Sequence, residues 1–127
     1  MTTAPTTGPA KLTTHVLDTT NGRPAAGVAI EVVRVGDDGV RTAVAQVRTN
    51  DDGRTDEPLA QGGDLVPGRY ELTFGIGEHF ATTGDVPAGA TPYLDLVPVH
   101  VHLGPDTGSV HVALLVTPWS YTTYRGS

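Results

Sequence analysis

A chain of 127 residues with 38% hydrophobic and 17% charged residues has room for one globular domain around a single core. Its net charge of −6, with eight scattered Lys and Arg, excludes nucleic acid and anionic membrane surfaces as partners, because both demand basic patches. The absence of cysteine excludes disulfides, thiolate metal sites and cysteine nucleophiles. Gly 16 and Pro 10 make up about a fifth of the chain, which fits short strands joined by tight turns better than helices. No apolar run approaches the roughly 18 residues of a membrane span.

Residues 1–10 are rich in Thr, Pro and Ala and have no apolar stretch, so they read as a disordered lead-in and not a secretory signal. Cytoplasmic residence is the default expectation. Lys11 to Asp18 alternates and ends in the turn Thr19-Thr20-Asn21-Gly22. Val28 to Val35 is a β-branched run, turned by Gly36-Asp37-Asp38-Gly39 into Val40 to Thr49, which predicts a hairpin. Asn50-Asp51-Asp52-Gly53 is a tight acidic turn with Arg54 directly behind it. Gly68 to Phe74 is another alternating strand, and Gly77 to Thr83 is a helix of about two turns. Tyr93 to Leu103 and Ser109 to Val116 predict a closing pair of strands across Gly104 to Gly108. Seven or eight short strands at regular spacing predict an all-β, two-sheet antiparallel sandwich with one short helix over residues 11–127. The ending, Pro118 to Ser127, runs through aromatic residues to Arg125, Gly126 and Ser127, and reads as placed rather than frayed.

Side chains two apart on a strand share a face. His15 therefore shares a face with Leu17, and His111 shares one with Ala113 and Leu115. Extension beyond Pro118 would put Thr122 and Tyr124 together. Val110, Val112, Leu114 and Val116 form the apolar, core-directed face, so the His111 face is the outer one and reads as a subunit interface. Blander readings compete. A single strand histidine is commonly solvated or satisfied. His100 and His102 share a face and could chelate a metal, but they oppose the apolar set of their strand and find no third ligand at obvious spacing, so no metal is expected. His79, between Glu78 and Phe80, reads as helix surface, and Arg54 as a turn arginine paired with Asp51 and Asp52.

Five segments carry a resemblance: Leu12 to Asp18, Gly22 to Val28, Thr49 to Thr55, Gly68 to Phe74 and the terminal Tyr124-Arg125-Gly126-Ser127. Together they resemble the 5-hydroxyisourate hydrolases, the enzyme branch of the transthyretin-like family, over Lys11 to Ser127. The marks of that branch are a histidine in the first strand, an arginine after the Asn-x-x-Gly turn, a histidine in the last long strand and the four-residue ending. One departure is Ala113, where the hydrolases usually have proline.

The resemblance implies a transthyretin-like sandwich assembled as a homotetramer, a dimer of dimers, with active sites where subunits meet. It implies 5-hydroxyisourate as substrate, hydrolysed at a ring amide to 2-oxo-4-hydroxy-4-carboxy-5-ureidoimidazoline, with no cofactor. It assigns catalysis to His15, Arg54, His111 and Ser127, and substrate binding to His15, Arg54, Tyr124, Arg125 and Gly126. The residue chemistry is suited to this. A histidine can take a proton from water near neutral pH, and an arginine offers a fork of donors to carbonyls and to a developing oxyanion. Gly126 is expected to bend the backbone tightly, Tyr124 to wall the pocket, and Arg125 to anchor the terminus by an ion pair. The alternative is a transthyretin-like carrier of small ligands without catalysis, which would need neither the histidines nor the ending. An inert adhesion or carbohydrate-binding sandwich is the third class.

Overall fold

Period-two alternation becomes a two-layer sandwich in the computed structural model, which describes residues 10–126. The order is β1 (Lys11–Asp18), β2 (Arg23–Pro24), β3 (Ala29–Val35), β4 (Arg41–Arg48), β5 (Ala60–Gln61), β6 (Gly68–Gly75), α1 (Ile76–Thr83), β7 (Leu96–Leu103), β8 (Val110–Val116) and β9 (Tyr121–Gly126). One sheet runs β2-β1-β8-β9, with β5 also pairing with β1, and the other runs β4-β3-β6-β7. Residues 1–9 of the expected lead-in, and Ser127, lie outside the described residues.

The core forms where the two inner faces meet. Leu12 and Val16 of β1 and Val112, Leu114 and Val116 of β8 are at most 3% exposed, as are Ile30, Val32, Leu72 and Phe74 of the facing sheet. Each such side chain contributes about 1.5–3 kcal/mol by leaving water. The one large polar group among them, Tyr70, donates its hydroxyl to the Val66 carbonyl. The β3–β4 hairpin is antiparallel as expected, with a bulge at Val32/Val33. Helix α1 seats Ile76 and Phe80, both fully buried, and stops at Gly84, whose φ of 85° suits glycine.

Three expectations are corrected. The segments around Tyr93–Leu103 and Ser109–Val116 do not pair with each other. β7 pairs with β6 in one sheet and β8 with β1 and β9 in the other, so the Gly104–Gly108 loop crosses between layers. Tyr93 itself precedes β7, which starts at Leu96. The sandwich is also not antiparallel throughout, since β1 and β8 run parallel, in register from Leu12↔Val110 to Asp18↔Val116.

The third correction concerns His79, which is buried and not on the helix surface. Its Nε2 lies 2.9 Å from Oδ2 of Asp18, whose side chain is 1% exposed. The Asp18 carboxylate also accepts from the Asn21 backbone N–H at 2.9 Å and from Asn21 Nδ2 at 2.7 Å. Burial pushes the Asp18 pKa up, but the hydrogen bonds from Asn21 and His79 outweigh it and hold it below the usual carboxylate value. The pair ties α1 to the end of β1. Asp18→Ala strands these donors and should cost about 3 kcal/mol in urea unfolding at pH 7. Because the native pKa is lowered, Asp18's contribution is complete above the ordinary carboxylate range and fades as pH falls through the native value. The difference between wild type and Asp18→Ala should therefore shrink on acidification, and a constant difference would contradict the arrangement.

Candidate active site

The outer face of the first sheet is built in rows that cross β1, β8 and β9. Register aligns Thr13, His111 and Gly126 in one row, His15, Ala113 and Tyr124 in the next, and Leu17, Leu115 and Thr122 in the third. Parallel pairing of β1 with β8 thus brings two histidines from opposite ends of the chain together. Their ring centroids are 6.4 Å apart, inclined at 47°. Ala113 is the small residue between His15 and Tyr124, and it keeps the floor of the site low.

A turn delivers the arginine. The Asn50 side-chain oxygen accepts from the backbone N–H groups of Asp52 (2.9 Å) and Arg54 (3.2 Å), and the Asn50 N–H donates to the Arg54 carbonyl at 2.7 Å. Gly53 docks this turn on β1 by accepting from the Val16 N–H at 2.8 Å. Only glycine fits there: φ is 75°, and a Cβ would lie 2.4 Å from the Val16 carbonyl oxygen. The next residue, Arg54, then pairs with His15 in an isolated antiparallel bridge. Arg54 is exposed, and among the described residues its guanidinium makes no ion pair, so the expected pairing with Asp51 and Asp52 is absent.

The electrostatics are set by this crowding of basic groups. Partial burial and the Arg54 charge push His15 below the ordinary histidine value, while a hydrogen bond to the Asp52 carbonyl and the Asp52 charge oppose them. His111 is pushed down by burial, by Arg54 and by His15. Both imidazoles therefore stay neutral to lower pH than a free histidine.

His111 is held from two sides. Its Nδ1 is 2.8 Å from the Thr13 hydroxyl. On the other side lies Gly126, where an added Cβ would come within 2.5 Å of His111 Cδ2. This corrects the role expected of Gly126. It ends strand β9 and is not among the residues with positive φ; it is needed for close approach of the ring and not for a bend.

The remaining expected residues divide. Tyr124 is on the histidine face and 54% exposed. Arg125 is not: it pairs with Val112, whose side chain points into the sandwich, and lines an open groove of about 280 Å³ bounded by β7, β8 and β9. Its guanidinium donates to the carbonyls of Thr107 (3.3 Å) and Ser109 (3.2 Å), so it anchors β9 through backbone acceptors and not an ion pair among the described residues. Ser127 lies outside the described residues. His100 and His102 are exposed on the other sheet, where His100 Nε2 sits 3.4 Å from Glu71, a carboxylate already bridged to Arg41. No group of three or more metal-ligating side chains gathers among the described residues. Thr13 escaped the sequence reading, although its spacing of two from His15 was the signal that places it on the same face.

The model of the HIUase/transthyretin family matches residues 12–126. The 5-hydroxyisourate hydrolase of Deinococcus radiodurans is 52% identical over 116 residues, covering 91% of this chain and 95% of the relative. The crystal structure of (S)-allantoin synthase superposes with a TM-score of 0.85 at 42% identity, covering 94% of this chain; this chain spans 44% of that one. Transthyretin from Sparus aurata superposes with a TM-score of 0.80 at 28% identity, covering 92% of this chain and 97% of its own.

Two outcomes test the geometry. In an NMR titration, His15 and His111 should both protonate with midpoints below 6.5. Arg54→Gln removes the neighbouring charge and should move both midpoints up, whereas unchanged midpoints would mean that the guanidinium does not reach the rings. Gly126→Ala should displace the His111 ring and lower turnover by about 100-fold, the scale of a misplaced group, with the fold retained. A crystal structure of the variant with His111 unmoved would remove Gly126 from this role.

Proposed function

The chain belongs to the HIUase/transthyretin family, and within it we infer a 5-hydroxyisourate hydrolase that works with His15, Arg54 and His111. The observation that carries this reading is the meeting of His15, His111 and Arg54 on one face, with the rings 6.4 Å apart and Arg54 bridged to His15. The sandwich alone does not separate hydrolase from carrier, since a transthyretin shares it. Two neutral imidazoles beside a guanidinium with no ion pair among the described residues do, because they fit water activation and serve no need of a passive channel.

The reaction hydrolyses a ring amide of 5-hydroxyisourate to 2-oxo-4-hydroxy-4-carboxy-5-ureidoimidazoline. Water attacks the ring carbonyl while His15 takes its proton. Negative charge forms on the carbonyl oxygen, and Arg54 supplies donors and charge to it. The carbon–nitrogen bond then breaks, and the proton held by His15 goes to the leaving nitrogen. His111 hydrogen-bonds the reacting groups through Nε2, the nitrogen not occupied by Thr13. Tyr124 walls the face, and Gly126 seats His111. The position of Arg125 supports an anchoring role in place of substrate contact.

The family match over residues 12–126 supports a single domain across 11–127. The outer face carries Leu17, Ala113 and Leu115 beside Tyr124, and this apolar character supports covering by a second copy within a homotetramer.

The deciding measurement is the ultraviolet decay of freshly generated 5-hydroxyisourate with and without the protein, against its spontaneous decay. No acceleration would defeat the reading. His15→Ala and His111→Ala should each slow turnover by roughly two to four powers of ten, and the double variant should be no slower than the worse single if they act as one unit. Arg54→Lys keeps the charge and loses the fork, so activity should fall sharply with the histidine midpoints little moved. A fully active lysine variant would return Arg54 to the status of a turn residue.

A further inference from the structure

We propose that Thr13 is a positioning residue for His111, holding the ring in one pose through every protonation state by a hydroxyl that can both donate and accept. The proposal rests on the hydrolase reading above and deepens it. Thr13 lies beside His111 in the parallel register of β1 and β8, on the same outer face, with Oγ1 2.8 Å from Nδ1. Among the described residues its hydroxyl makes no other hydrogen bond, so it is free to turn toward or away from Nδ1.

His111 faces a hydroxyl. When Nδ1 is bare, Thr13 donates to it and Nε2–H points at the substrate. When Nδ1 carries hydrogen, Thr13 accepts from it, and Nε2 offers either a lone pair or, in the imidazolium, a second N–H. The ring need not move between these states. The Gly126 backbone closes the Cδ2 side, where no Cβ would fit, so rotation away from Thr13 is also blocked. His111 thereby keeps one pose while it hydrogen-bonds the water first and the leaving group afterwards.

The test pairs Thr13→Val, which keeps the branched shape, with Thr13→Ser, which keeps the hydroxyl. Thr13→Val should lower kcat by about 10- to 100-fold, the cost of a loosened reacting group, with KM little changed. Thr13→Ser should recover most of that loss. In a His111→Ala background, Thr13→Val should cost nothing further, because its effect passes through the ring. Nitrogen-15 NMR of the histidines, without substrate, should show the His111 Nδ1 resonance shifted in Thr13→Val and the His15 resonances unmoved. Wild-type kcat in Thr13→Val, an equal loss in the His111→Ala background, or an unshifted Nδ1 would each overturn the proposal. Failure of the wild-type protein to accelerate 5-hydroxyisourate decay would instead remove the hydrolase reading, while the NMR outcome would still report on the Thr13–His111 bond.

Discussion

Parallel pairing of β1 with β8 is the constraint from which the rest follows. The two strands are separated by nearly the whole chain, yet seven consecutive pairs hold them in register. Side chains reinforce that register along its length. Ser109 Oγ accepts from the Lys11 N–H at 3.0 Å, Thr14 donates to the Val112 carbonyl at 2.7 Å inside the core, and Thr19 donates to the Val116 carbonyl at 3.1 Å. A slip by one residue would turn every β1 side chain to the wrong face. It would expose Leu12 and Val16 and bury Thr13, His15 and Leu17. The energy of the core therefore fixes the geometry of the site: the apolar side of β1 decides where the histidine side must be.

That geometry places three basic groups together in a chain of net charge −6. Each histidine is pushed toward neutrality by partial burial and by Arg54, and His111 also by His15. The arrangement is unfavourable for holding charge and favourable for holding lone pairs, which a base needs. Arg54 supplies the positive charge of the face. The face thus combines one permanent cation with two neutral imidazoles. An electron-rich, urate-like ring is attracted to the first and meets proton acceptors in the second.

Much of this was legible in the sequence, and the reasons for the remainder are physical. Period-two alternation separated Val110, Val112, Leu114 and Val116 from His111, Ala113 and Leu115, and the structure keeps that division. Alternation says nothing about which strand lies alongside, because partners are chosen by the whole core. The loop Gly104–Gly108 looked like a hairpin turn and instead carries the chain from one sheet to the other. His79 looked like surface because its neighbour Glu78 is exposed; its partner Asp18 lies 61 residues away and could not be read locally. Arg125 shows the opposite failure. Alternation puts it across the strand from Tyr124, but the resemblance carried by the four terminal residues assigned both to substrate binding. Gly126 was recognised for a bend that it does not make; the close approach of the His111 ring becomes visible when β8 and β9 are paired.

The site as one chain builds it is a surface and not an enclosure. Arg54 and Tyr124 are exposed, and the His15–Ala113–Tyr124 row is open above its floor. An oxyanion that forms there would be stabilised by Arg54 in a high dielectric, where a charge 4 Å away is worth about 1 kcal/mol, against about 4 kcal/mol when water is largely displaced. Excluding water is thus worth more to this reaction than adding another donor. A face related to itself by a twofold axis would meet Leu17 and Leu115 with the same residues of a second copy, and would cover the row without new side chains. The apolar outer positions share their strands with His15, His111 and Tyr124, so any surface that covered Leu17 and Leu115 would also cover the histidine row.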